Sequence, residues 1–151
     1  MRRLTVALVV SLVLGLTAGP ALAGNAHFVG TPTVTRSGNS LTVSGKVAGL
    51  GSESQILVTI SADAACLNPG GNFPEAENKE TFTASDVFPV QNGKANFSLT
   101  LTATFQPRCS PPMSVVFGPV TVEVCPDPAD TTPTFSCFST TISGPGLGGT
   151  F

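Results

Sequence analysis

From Ser40 onward, apolar and polar positions repeatedly alternate along this chain with a period of two. Successive side chains on a strand point to opposite faces, so this is the pattern of half-buried β-strands. In Ser40–Val47, Leu41, Val43, Gly45 and Val47 share one face, and Ser40, Thr42, Ser44 and Lys46 the other. In the next run, Ile56, Val58, Ile60, Ala62, Ala64 and Cys66 lie opposite Gln55, Thr59, Ser61 and Asp63. The clearest run sets Ala95, Phe97, Leu99, Leu101, Ala103 and Phe105 against Lys94, Asn96, Ser98, Thr100, Thr102 and Thr104. Further strands are expected at Thr31–Thr35, Glu80–Thr83, Asp86–Val90, Val115–Val124 and Phe135–Ile142.

Turn chemistry punctuates these runs. Asn92-Gly93 lies between alternating apolar residues, a strong hairpin signal because both residues accept a type I′ turn. Gly118-Pro119 predicts a bulge or bend, since proline cannot donate to a ladder. Residues 67–80 form a long polar loop, and residues 107–112 and 126–133 are proline-rich loops. Helical periodicity is not sustained over three turns anywhere. The expected fold is all-β, an antiparallel immunoglobulin-like β-sandwich of about seven to eight strands.

The N-terminus breaks this pattern. Met1-Arg2-Arg3 is basic, Leu4–Thr17 is almost wholly apolar, and Ala21-Leu22-Ala23 offers small residues for cleavage before Gly24. That is the pattern of a secretory signal peptide over residues 1–23. The apolar run is about 13 residues, short of the roughly 20 needed to span a bilayer. The expected organisation is then a β-sandwich domain over 24–143 and a flexible glycine-rich C-terminal tail over 144–151. The expected localisation is secreted, with no membrane insertion after cleavage.

Charge narrows the partners. Without Arg2 and Arg3, five basic residues remain against nine acidic ones, a net of −4. Such a sparse acidic set gives no counterion-release drive toward nucleic acid and little toward anionic lipid. The expected partner is an extracellular one whose identity the residues do not specify.

In an exported chain, four cysteines read as two disulfides. Cys66 and Cys109 each lie where a strand meets a long loop, and Cys125 and Cys137 flank one proline-rich connection. Cys66–Cys109 and Cys125–Cys137 are the favoured pairs. An inter-sheet Cys66–Cys125 bridge of the immunoglobulin kind stays open, although its usual companion, a buried Trp, is missing from this chain.

Three segments carry a resemblance: Val43–Gly51, Cys66-Leu67-Asn68-Pro69-Gly70-Gly71-Asn72-Phe73-Pro74, and Asn92–Phe97. Across residues 41–124 the chain resembles a set of uncharacterised small secreted proteins, bacterial and fungal, with a C-x-N-x-G-G-N-x-P loop. That resemblance implies the Cys66–Cys109 pairing and carries no activity. A fainter, architectural likeness is to the neocarzinostatin-type chromophore carriers, which are immunoglobulin-like sandwiches with two disulfides.

Catalytic chemistry finds little support. The single histidine, His27, lies near the expected cleavage point, so Ser-His-Asp or Cys-His catalysis lacks a placed base. Glu75, Glu77 and Glu80 cluster in the long loop with Asn68, Asn72 and Asn78. They suit a solvated acidic loop better than a calcium site or an acid/base pair. Cysteine spacing does not fit zinc, and no catalytic residue, metal or cofactor is assigned. Asn96-Phe97-Ser98 is formally a glycosylation sequon.

Three functions are expected in descending order. The first is a secreted, disulfide-stabilised sandwich with a non-catalytic binding or structural role, its contact loop carrying Asn68, Asn72, Phe73, Glu75 and Glu77. The second is a small-ligand carrier with a pocket between the sheets. The third is a hydrolase using the acidic 67–80 loop.

Overall fold

A computed structural model describes residues 25–69 and 79–144. The expected leader, residues 70–78 of the long loop, and the tail beyond Gly144 lie outside the described residues. Eight strands are present: β1 (His27–Phe28), β2 (Thr33–Ser37), β3 (Ser40–Ala48), β4 (Gln55–Leu67), β5 (Lys79–Pro89), β6 (Lys94–Thr102), β7 (Ser114–Pro126) and β8 (Phe138–Ile142). Among the described residues there is no helix.

The strands form two antiparallel sheets. In the first, β3 is central, with β6 on one side and both β1 and β2 along its other edge. The second runs β5-β4-β7-β8. Alternation dictates which side chains meet between them. Leu41, Val43 and Val47 of β3 and Phe97 and Leu101 of β6 face Ile56, Val58 and Ile60 of β4 and Phe117, Val120, Val122 and Val124 of β7. All are buried. Each such side chain contributes about 1.5–3 kcal/mol of apolar burial. Hydroxyls cover the outside of the first sheet and pair across strands: Ser40 with Thr102 at 2.8 Å, Thr42 with Thr100 at 2.9 Å, and Ser44 with Ser98 at 2.9 Å.

Gly45 sits on the core face of β3 for a steric reason. A Cβ there would lie 2.6 Å from the Phe97 ring, which fills that space. The bulge expected at Gly118-Pro119 is present. Ala62 pairs with Val120 but Ala64 pairs with Phe117, so three steps on β7 match two on β4.

Several expectations change. The first expected strand starts at Thr33 rather than Thr31, and the two runs between Glu80 and Val90 are one continuous strand, β5. Phe135 precedes β8 instead of opening it. Leu99 is only half-buried, because β6 is the last strand on its side of the first sheet. The Asn92-Gly93 turn has the expected positive φ values, 52° and 69°. It does not make a sheet-forming hairpin, however. The ladder is a single Gln91–Lys94 bridge, after which β5 belongs to one sheet and β6 to the other. The two strands then face each other across the core, with Phe88 against Phe97 and Phe82 against Phe105.

Both favoured disulfides are present, Cys66–Cys109 with Cα atoms 5.8 Å apart and Cys125–Cys137 with Cα atoms 4.2 Å apart. Each ties a second-sheet strand to a connecting loop. Neither joins the two sheets, so the immunoglobulin-type bridge is not formed.

Candidate functional site

β4 and β7 run the length of the second sheet, so each disulfide marks one end of the sandwich. At the Cys66–Cys109 end, three segments distant in sequence converge: the β2–β3 turn, the connection after β6, and the start of β7. They enclose an open cavity of about 590 Å³. That volume falls within the usual range for small-ligand sites.

Arg36, on β2, is oriented by its own contacts. Its Nη2 donates to the Val115 carbonyl and its Nε to the Gly38 carbonyl at 3.2 Å. Its guanidinium lies 5.7 Å from the centre of the Phe117 ring, a cation–π distance. This one side chain therefore spans from the first sheet to the second. Asn39 fixes the neighbouring wall: its Nδ2 donates to the Ala103 carbonyl at 2.9 Å, and the Ala103 N–H donates back to its carbonyl at 2.9 Å. Gln106 and the exposed Arg108 come from the connection after β6, and Ser114 from β7. Phe105, Met113 and Val115 supply the apolar lining. Met113 also meets the disulfide, its Sδ 3.8 Å from Cys66 Sγ.

Chemically this is a donor-rich site. Two guanidiniums and two amides line it, with no carboxylate, histidine or thiol among the described lining residues. Its hydroxyls are those of Thr104 and Ser114. Such a set suits a carboxylate or another small anion, because guanidinium offers paired donors in a fixed plane.

The expected contact loop begins and ends on described strands. It leaves β4 after Leu67, whose partner Ser114 lines the cavity, and returns at Lys79. Asn68 is exposed at that exit. Asn72, Phe73, Glu75 and Glu77 lie outside the described residues. His27 is exposed on β1, its Nδ1 2.6 Å from the Asn25 carbonyl.

The opposite end, at Cys125–Cys137, is acidic and closed. Glu53 is buried, 5% exposed, with Oε1 accepting from Thr134 N at 2.7 Å and Thr134 Oγ1 at 2.6 Å. Asp127 accepts from the Ala129 N–H and from Gln55 Nε2, and these hold its carboxyl below the usual carboxylate value. The Thr132 N–H, followed by the Glu53 side chain, does the same for Asp130. Phe28, Phe135 and Phe138 stack beside this end, with ring centres 5.0 and 5.9 Å apart. Sequence reading identified none of Arg36, Asn39, Gln106, Arg108, Glu53 or Asp130 as site residues. The long-range partners of Arg36, Asn39 and Glu53 lie 64–81 residues away, beyond any local pattern.

Compared with known proteins, the chain matches no family model, and neither a curated protein nor a solved structure is significantly similar to it. Among the described residues, no group of three or more His, Cys, Asp or Glu side chains could hold a metal ion, and no helix is long and apolar enough to cross a membrane.

Proposed function

We propose that this protein is a secreted, non-catalytic binding module of immunoglobulin-like type that captures a small anionic ligand at its Cys66–Cys109 end. The observation that carries this reading is the cavity of about 590 Å³ whose lining brings together the guanidiniums of Arg36 and Arg108 and the amides of Asn39 and Gln106. The signal-peptide pattern and the paired cysteines support export. The reading joins the two leading expectations, since the 67–80 loop springs from the rim of the same cavity. It differs from a carrier with a phenylalanine-lined crevice, because the space between the sheets is filled by side chains and the cavity lies at their end. The hydrolase alternative rests on the acidic 67–80 loop, whose Glu75 and Glu77 lie outside the described residues.

The test is a heteronuclear NMR titration with benzoate, acetate and inorganic phosphate. Amide shifts are expected at Asn39, Gln106, Arg108 and Met113, saturating with at least one anion. Arg108→Gln weakens that binding about tenfold, the loss of one charge-assisted hydrogen-bonding group. Absence of saturable shifts with any of the three, or shifts scattered over both ends, would remove the reading.

A further inference from the structure

The lining of the open cavity is sorted by depth. Its apolar members approach from the interior: Ala103, Phe105 and Val115 are only 1%, 5% and 8% exposed, and Met113 is half-buried. Its polar side chains, those of Arg36, Asn39, Thr104, Gln106, Arg108 and Ser114, are all exposed. Local structure produces this order. The alternation of β6 continues past its last residue, so Ala103 and Phe105 are buried while Thr104 and Gln106 are exposed. Val115 pairs with Cys66 on β4, and Met113 Sδ lies 3.8 Å from Cys66 Sγ, which sets both beside the disulfide at the end of the core.

The donors at the rim are not equivalent. Arg36 is held by the Val115 and Gly38 carbonyls and lies over the Phe117 ring, and Asn39 is tied to Ala103. Among the described residues, the side chains of Gln106 and Arg108 make no hydrogen bond or ion pair. An anion can therefore take their donors without breaking a bond of the fold.

Resting on the anion reading above, we propose that the ligand class is an apolar-tailed monocarboxylate that enters tail first. Its chain lies on the floor of Phe105, Met113 and Val115, and its carboxylate stays at the rim with Gln106 and Arg108. A carboxylate on that floor would lose its water among apolar side chains, whereas a methylene there exchanges water for apolar surface. Met113 suits a chain of variable shape, because an unbranched thioether repacks readily. Acetate or phosphate satisfies the rim alone, and a dicarboxylate drives a second charge onto the floor.

The test titrates the oxidised protein at pH 7 with acetate, butanoate, hexanoate, adipate, hexanamide and inorganic phosphate, followed by NMR. Affinity is expected to rise about two- to fourfold for each added methylene, fourfold being the value for full burial. Hexanoate then binds at least about tenfold more tightly than acetate, adipate or hexanamide. Its terminal methyl gives intermolecular NOEs to Met113 and Val115, and its C2 methylene to Gln106 or Arg108. Met113→Gln lowers the hexanoate-to-acetate affinity ratio severalfold, and the NOEs test the orientation without any substitution. Hexanoate binding no more tightly than acetate or phosphate overturns this proposal and leaves the anion reading standing. So does adipate matching hexanoate, or a terminal methyl whose NOEs fall on Arg108. Hexanamide matching hexanoate, or no binding by any of the anions, overturns the anion reading and this proposal with it.

Discussion

The two ends of the sandwich carry the same staple and different contents. Each has a disulfide from a second-sheet strand to a proline-containing connection. At the Cys66–Cys109 end the connection arches outward and leaves a cavity walled by Arg36 and Arg108. At the Cys125–Cys137 end the connection folds inward, and Thr134, Phe135 and Phe138 close the core over Glu53. A disulfide fixes where a connection is anchored; the side chains it carries decide whether the space beneath is filled. The open end places its polar groups toward solvent, where a ligand reaches them. The closed end buries a carboxylate, where only its neighbours do.

The largest test of this comparison removes each staple in turn. Replacing Cys66 and Cys109 by Ala should cost about 4 kcal/mol, and replacing Cys125 and Cys137 about 3, because the bridges span separations of 43 and 12 residues. Urea unfolding of both double variants measures the difference. The order reverses if the closed end depends on its bridge to hold the aromatic plug, which would make sealing rather than loop closure the bridge's main role.

A sharper test exchanges one side chain at each end. Thr134→Ala deletes the hydroxyl that donates to buried Glu53 at 2.6 Å. A hydrogen bond to a charged group contributes about 1.5–3 kcal/mol, so the variant should lose that much in denaturant unfolding. Arg108→Ala removes an exposed side chain and should change stability by no more than about 0.5 kcal/mol, while weakening anion binding about tenfold or more. The ends then separate cleanly, one substitution read in stability and the other in binding. A large stability loss in Arg108→Ala would make the cavity wall structural and weaken the binding reading.

What could be read from the residues follows from the range of each interaction. Strand faces were legible because alternation is a local signal: Ile56, Val58 and Ile60 lie inside as their spacing requires. The Gly118-Pro119 bulge was legible because proline's missing donor is a property of one residue. The Asn92-Gly93 turn was legible as a turn, but its consequence was not. Turn chemistry fixes two φ angles and says nothing about which sheet each flanking strand joins. That choice came from Phe82 and Phe88 of β5 packing across the core on Phe105 and Phe97. The cavity was illegible because residues 36–39, 103–109 and 113–115 meet only after both sheets have formed. Glu53 was illegible too, since Gly51-Ser52-Glu53-Ser54 has the composition of an ordinary solvated turn.

The smallest expected effect is also confined to the closed end, and its sign can be worked out. Asp127 is half-buried, and its carboxyl lies below the ordinary value of 3.8, first through the Ala129 N–H and then through the Gln55 side chain. A carboxyl whose folded value is depressed binds its proton more readily in the unfolded chain. Its contribution to stability is therefore fully present above the ordinary value and is lost as pH falls through the folded one. The wild type should lose stability as pH drops below 3.8, and Asp127→Asn should lose less over the same interval. The measurement is urea unfolding at successive pH values, comparing the slopes of the two proteins. Among the described residues no carboxyl lines the open end, so Arg108→Ala and Arg108→Gln should leave that acid slope unchanged. If they alter it as much as Asp127→Asn does, the acid response belongs to the whole molecule, and the electrical contrast between the ends is not what sets it.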